Sequence, residues 1–310
     1  MPRISPSQPA ESAGLPPEDE LVALLTRNLP QTARTLTGPG DDCAVIRIPG
    51  SPLLQLLKAD AMVEGVHFTR EMSPAAVGRK ALARCVSDIA SMAGTPREAL
   101  VTVILPPGIP LNWIREVYRG MKKAARQWGV GIAGGETSSA PAGSPVVLAI
   151  TLTGEVPENQ VIRRGGARAG DAIVVTGKLG NSFQSGWHLK FTPRLAEAQW
   201  LAENFPPTSM MDLSDGLAKD LPRLADASGT GWNLELESLP MRDGAGTAQA
   251  LGDGEDYELL FTLPGGAWME LKAAWGQRFP RTCLTRIGHV TGKKIRRPAL
   301  AGGWDHFNGP

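Results

Sequence analysis

Apolar and polar positions follow two rhythms along the chain. A helical rhythm opens at about residue 19, where EDELVALLTRNL sets Leu21, Leu24, Leu25 and Leu29 on one face behind an acidic first turn, which suits the positive end of a helix. GPGDDCAVIRIPG then reads as a Gly/Pro turn opening a strand, and LLQLLKAD as a second strand ending at Asp60. The stretch PAAVGRKALARCVSDIASMA, residues 74–93, predicts a helix with Pro at its start and Gly94 just past its end, so Ser87 and Asp88 are helical. A strand ALVTVILP, a helix PLNWIREVYRGMKKAARQW and strands VGIAGG and PVVLAITLTGEV follow.

The polar, turn-rich segment PENQVIRRGGARAGD interrupts this pattern and puts a domain boundary near residue 160. We expect an N-terminal arm over residues 1–18, rich in Pro, Ser and Ala, then domains over 19–160 and 161–310. The second half predicts strand AIVVTG, helix PRLAEAQWLAENF, loop MDLSDG, helix LAKDLPRLADAS, strands WNLELE and YELLFTLP, and a helix from Gly266 to about Trp275. Helices and strands alternate without a regular βαβ rhythm. The expected fold class is therefore α/β of the mixed α+β kind, with mixed sheets rather than one doubly wound parallel sheet. Trp113, Trp128, Trp200 and Trp275 fall on predicted helices and are expected in the core.

Composition narrows the classes. With 42% hydrophobic and 20% charged residues the 310-residue chain is neither wholly disordered nor collagen-like. Lys and Arg number 32 against 31 Asp and Glu, so no global field favours nucleic acid or an anionic membrane, and any anion site must be local. The KKIRR run at 293–297 reads as a solvated basic turn. Cys43, Cys85 and Cys283 form no CxxC pair, which suits a reducing cytoplasm. No apolar run approaches the ~18 residues of a membrane span, and the first twenty residues hold no secretory-type stretch.

What chemistry remains lies in carboxylates at turns and strand ends: Asp41 and Asp42 in GPGDDCAV, Asp60 in ADAMVEGVHF, Asp88 in SDIASM, Glu136 in GGETSS, and Asp212 and Asp215 in MDLSDG. Singly, each is an ordinary cap or turn residue. Converging, two carboxylates ~4 Å apart repel by about 4 kcal/mol at an effective dielectric near 20, so such a set requires divalent cations. Hard oxygen donors without a Cys or His cluster suit several Mg²⁺ ions bridging a polyphosphate. Asp41 and Asp42 can share one ion only if the turn there is irregular, because neighbours in a strand face opposite ways. There is no GxxxxGK[ST] loop, no HExxH and no GxSxG; Gly129, Gly131 and Gly134 spell GxGxxG but follow a helix and enter a strand, the reverse of the dinucleotide-binding order.

In order along the chain, GDDCAVI, ADAMVEGVHF, KALARCVSDIASMAG, GGETS, RRGGARAGD, DLSDGLAKDL and GEDYELLFT resemble the thiamine-monophosphate kinases, members of the AIR-synthase-like superfamily, from about residue 20 to Phe307. The resemblance implies two domains, a homodimer whose N-terminal sheets pair, and transfer of the ATP γ-phosphoryl group to thiamine monophosphate. It implies Asp41, Asp42, Asp60, Asp88, Glu136 and Asp212 as Mg²⁺ ligands on the ATP phosphates, with Asp60, Asp88 and Asp212 at the reacting centre and Asp215 on a further ion. Tyr118, Gly135, Arg164 and Ser214 would contact ATP, and His67, Glu255 and Trp304 the thiamine phosphate. Two positions depart from the family pattern: Glu136 stands where Asp is usual, and Ala59 stands where Thr or Ser is usual, so one metal shell is expected to recruit water or weaken.

Overall fold

A computed structural model describes residues 15–307, which form two six-stranded mixed sheets. The order of elements is α1 (Glu18–Thr26), β1 (Thr35–Thr37), β2 (Ala44–Arg47), β3 (Leu53–Val63), α2 (Pro74–Ser91), β4 (Thr95–Leu105), α3 (Leu111–Trp128), β5 (Gly131–Ser139) and β6 (Val147–Pro157). After them come β7 (Asp171–Thr176), α4 (Leu195–Asn204), β8 (Ser209–Asp212), α5 (Leu217–Ser228), β9 (Thr230–Leu234), α6 (Thr247–Gly252), β10 (Leu259–Pro264), α7 (Trp268–Arg278), β11 (Leu284–Gly292) and β12 (Arg296–Arg297). The first sheet runs β1-β2-β3-β6-β4-β5 and the second β12-β9-β11-β7-β10-β8. Most of the expected N-terminal arm lies outside the described residues.

Helix α2 organises the molecule. It is buried almost without interruption from Val77 to Ser91, the mark of a helix enclosed on all sides rather than lying on a surface. It touches β3, β4 and β6 of the first sheet, packs along α3, and meets α4 and β8 of the second half. Two glycines set the α2–α3 approach. A Cβ on Gly78 would lie 1.9 Å from the Val117 carbonyl oxygen, and one on Gly120 would lie 1.8 Å from that of Ala75.

On β3 the alternation of side chains puts Leu54, Leu56, Lys58, Asp60 and Met62 on the α2 side and Leu57, Ala59 and Ala61 on the exposed side. The strand continues to Val63, so Asp60 is interior to it rather than at its end; the apolar alternation of Met62 and Val63 carries the pairing onward against β6. Part of the expected MDLSDG loop is also strand, since β8 pairs with β10 as far as Asp212. Strand β11 had no counterpart among the expected elements, although it sits between β7 and β9. The leucine face expected on α1 is not a core face: none of its residues is buried, and Leu29 lies beyond the helix end. Its acidic turn docks instead, with Glu18 and Asp19 each 2.7 Å from Lys219 and Arg223 respectively. Periodicity marks a face without stating what covers it.

Adding a methyl group at the α2–α3 contact should be costly. Gly78→Ala and Gly120→Ala are each expected to destabilise by at least about 1–3 kcal/mol, the range for overpacking against backbone that cannot yield. Gly276→Ala, in α7 with open space around it, should be neutral or stabilising by up to about 1 kcal/mol. Urea denaturation midpoints compare the three; equal effects would mean that the helix contact is not close-packed.

Candidate functional site

Three carboxylates from three separate segments converge. Asp42 follows the GPG turn, Asp88 lies near the end of α2, and Asp212 ends β8, and each offers an oxygen within 4.8 Å of the others. All three are buried. Ser87 donates to Asp212 Oδ2 at 2.5 Å and Ser91 to Asp42 Oδ2 at 2.6 Å, while Lys58 Nζ sits 2.7 Å from Asp88 Oδ1 and Arg164 2.5 Å from Asp42 Oδ1. Burial, and then the charge of Asp42, pushes the Asp212 carboxyl up to about 7. Burial also pushes Asp88 well above the usual carboxylate range, with Asp212 and its other acidic neighbours adding to the effect against the pull of Lys58. Clustered hard oxygens whose mutual charge and burial push the carboxyls of Asp88 and Asp212 upward are a fit for Mg²⁺.

Asp41 behaves differently from its neighbour. Its carboxylate accepts the backbone N–H of Asp42 at 2.9 Å and that of Arg164 at 3.1 Å, so it fixes the turn while Asp42 joins the cluster. Burial and the nearby Asp42 charge raise it to about 6.

From the cluster a cavity of about 460 Å³ runs between the two halves of the chain, lined among others by Asp60, His67, Ser214, Asp215, Glu255 and Trp304. Helix α2 forms one wall and acts as a ruler. Lys80, Arg84 and Asp88 recur every four residues, hence on one face, and span about 12 Å at 1.5 Å per residue. Lys80 is fully buried, and its ammonium is satisfied by the His67 carbonyl at 2.7 Å, by His188 Nδ1 at 2.8 Å and by Glu255 Oε2 at 2.8 Å. Burial would raise the Glu255 carboxyl, but the close approach of the His188 ring and the charges of Lys80 and Arg84 outweigh it and hold the group at about 2. Its Oε1 is 2.7 Å from Lys80 Nζ, yet the geometry makes no hydrogen bond to it, which leaves a buried acceptor on a residue that lines the cavity.

Glu255 is also backbone-strained, with φ at +55° and Tyr257 at +51°, a region costly for side-chain-bearing residues. The strand-like pairing of Glu255 N–H to Ser214 O and Tyr257 N–H to Leu213 O holds the GEDYEL turn against DLSDG. His67 accepts the Val63 N–H at Nδ1, so the neutral ring carries its proton on Nε2. Burial, then the Arg84 charge, keeps it neutral, with a pKa pushed down to about 4. Asp215 lines the cavity but is paired to Arg223 at 2.6 Å. Trp304 is tied to the same segment by its N–H on the Asp215 carbonyl.

Three of the residues singled out from the sequence lie elsewhere. Gly135 and Glu136 are on β5, the edge strand. Through the aligned pairs Asp60–Ile150, Ile150–Val101 and Val101–Gly135, Gly135 is three strands from Asp60, about 14 Å at ~4.8 Å per strand. Glu136 shares its row with Ala61, Ala149 and Thr102, on the sheet face opposite α2. A Cβ on Gly135 would lie 1.8 Å from the Val101 carbonyl oxygen, which explains the glycine. Tyr118 on α3 lines a second concavity with Thr137, Val103 and Leu105. Ala59 faces the exposed side as well, so a hydroxyl there would not reach the Asp42–Asp88–Asp212 cluster of its own chain. Sequence reading missed Lys58, Lys80, Arg84 and His188; a basic residue every fourth position inside an otherwise apolar helix was the available signal for Lys80 and Arg84.

Residues 40–156 match the family described as AIR synthase related protein, N-terminal domain, and residues 169–297 its C-terminal domain. The thiamine-monophosphate kinase of Rhodopirellula baltica is 38% identical over 86% of this chain and 86% of its own. That of Salmonella typhimurium is 31% identical over 88% and 93%. Among solved structures, AaThiL complexed with AMPPCP and TMP superposes with a TM-score of 0.79 at 28% identity, covering 98% of this chain and 100% of that one.

The His67 geometry carries a pH signature. An imidazole near 6.5 when unfolded and about 4 when folded stabilises fully above pH 6.5, and that contribution is lost as pH falls towards 4. The stability advantage of the wild type over His67→Gln should therefore shrink through this window, by up to about 3 kcal/mol at 1.36 kcal/mol per unit. Chemical denaturation at pH 7, 5.5 and 4.5 measures it. A constant gap would place the His67 ring in water.

Proposed function

The chain belongs to the thiamine-monophosphate kinases of the AIR synthase related proteins, and from that premise we propose that it transfers the γ-phosphoryl group of ATP to the phosphate of thiamine monophosphate, forming thiamine diphosphate and ADP. The observation that carries this reading is one cavity with a triple carboxylate cluster at one end and His67, Glu255 and Trp304 at the other. Residues 19–160 would supply most of the metal and nucleotide side, and residues 161–310 would complete the site.

An oxygen of the acceptor phosphate forms the new bond to the γ-phosphorus as the bridge to the β-phosphate breaks, its electron pair leaving with ADP. The acceptor phosphate, with a second pKa of about 6, is largely ionised at neutral pH, so the protein needs neither a nucleophile nor a general base. Its task is to bring two anions together. Mg²⁺, bound by Asp42, Asp88 and Asp212, would neutralise the phosphates and fix their orientation. Arg164, beside Asp42, and Ser214 would hold the nucleotide. The His67 Nε2–H would donate to the acceptor, Glu255 Oε1 would accept from the aminopyrimidine, and the Trp304 ring would stack on the cationic thiazolium. The two buried, free cysteines and the exposed third suit a reducing compartment such as the cytoplasm.

Tyr118, Gly135 and Glu136 would serve the site of a second copy. The β5 edge is exposed along nearly its whole length, and the sheet face opposite α2 presents Leu57, Ala59, Ala61 and Leu100 to solvent. An open edge and an uncovered apolar face suit pairing with another copy. Glu136 and Asp215 would then serve further Mg²⁺ ions.

One assay tests both parts. Purified protein with ATP, Mg²⁺ and thiamine monophosphate should yield thiamine diphosphate and ADP, with turnover abolished by EDTA. Formation of AMP, or phosphorylation of thiamine in place of its monophosphate, would contradict the reading. Asp88→Asn and Glu136→Gln should each lose about 10²-fold or more. Mixed and re-equilibrated, they should recover roughly one quarter of wild-type activity, because half the dimers then carry one intact site of two. No recovery would put Glu136 outside the partner's site.

A further inference from the structure

Arg84 stands midway along the α2 ruler, one turn from Lys80 at the acceptor end and one turn from Asp88 at the carboxylate cluster. It lines the cavity and is nine-tenths buried. Its guanidinium is fixed in orientation: NH2 donates to Asp60 Oδ1 at 3.1 Å, NH1 donates to the Ala61 carbonyl at 3.2 Å, and Nε lies 3.0 Å from Asp60 Oδ2. Of five N–H donors these hydrogen bonds use two, and the buried Nε makes none among the described residues. Asp60, turned to the α2 side of β3, thus holds a cation while it lines the same cavity as Asp88 and Asp212.

A planar, permanently charged fork with spare donors, held rigid between a metal end and an acceptor end, is suited to a phosphate. On the reading of the site given above, which this inference deepens, we propose that Arg84 binds the phosphate of the acceptor and that Asp60 positions Arg84. Its position half-way along the ruler is where the acceptor phosphate must lie if the nucleotide phosphates occupy the carboxylate end and the thiamine rings the end near Glu255 and Trp304. A role limited to balancing the Asp60 charge would leave the spare donors without purpose. It would also make the residue indifferent to whether the ligand carries a phosphate.

That difference is measurable by binding alone. Calorimetric titration of thiamine monophosphate and of thiamine gives a phosphate-discrimination ratio for each protein, with thermal melts run in parallel. The wild type should prefer the monophosphate. Arg84→Lys keeps a charge for Asp60 but replaces the rigid, planar five-donor fork with a point charge on a flexible stem, and should reduce the ratio about tenfold or more. Asp60→Asn, which releases the guanidinium, should reduce it too. If Arg84→Lys does not fold, the double variant Asp60→Asn/Arg84→Gln removes both charges at once, strands neither, and should show the same loss. An unchanged ratio in these variants, or equal losses for both ligands, overturns the role of Arg84 and leaves the acceptor assignment standing. Absence of any preference in the wild type overturns the acceptor assignment, and this role with it.

Discussion

Asp42, Asp88 and Asp212 are separated by long stretches of chain, and they come within 4.8 Å of one another, all three buried. Mutual repulsion of that kind cannot persist at neutral pH without protons, protein cations or metal ions to offset it. Much of the surrounding structure is arranged to do so. Lys58 reaches Asp88 from β3, Arg164 reaches Asp42 from the segment joining the two sheets, and Ser87 and Ser91 donate from the adjacent turns of α2. These partners come from both halves of the chain, so the charge cluster and the seam between the halves depend on each other.

Helix α2 makes the seam possible because it is enclosed on every side. A buried helix carrying Lys80, Arg84 and Asp88 on one stripe must satisfy each charge locally, since an unpaired buried charge costs several kcal/mol. Glu255, Asp60 and Lys58 meet those three in turn. The sequence of pairs gives the cavity its polarity, with an acceptor end, a guanidinium in the middle and a carboxylate end. The close approach of α3 through Gly78 and Gly120 fixes the height of this helix over the sheet.

Much of the secondary structure was legible from periodicity, and the carboxylates that converge were legible from their glycine-rich and strand-end contexts. The placement of Glu136 was not, because strand order is a property of the sheet: nothing local to GGETSS says that β5 is an edge three strands from Asp60. The sequence also placed Asp60 at a strand end, where the continuing pairing of β3 with β6 makes it interior. The basic residues inside α2 were not singled out, since periodicity cannot distinguish a solvated face from one buried against another domain. The leucines of α1 are the converse case, an apolar face that the described chain leaves exposed. The three acidic groups of the cluster were found because repulsion among them demands an explanation, whereas the cations of α2 leave only their four-residue spacing as a trace in sequence.

The central claim is that the cluster is a cation site whose charges oppose folding until a cation arrives. Thermal melting of the wild type and of Asp212→Asn, each with EDTA and with saturating Mg²⁺, tests it without reference to turnover. Asp212→Asn should melt at or above the wild type in EDTA, because one repelling carboxylate is gone, and should gain much less than the wild type from Mg²⁺. Equal destabilisation of the variant in both conditions, or an identical Mg²⁺ shift in the two proteins, would contradict it.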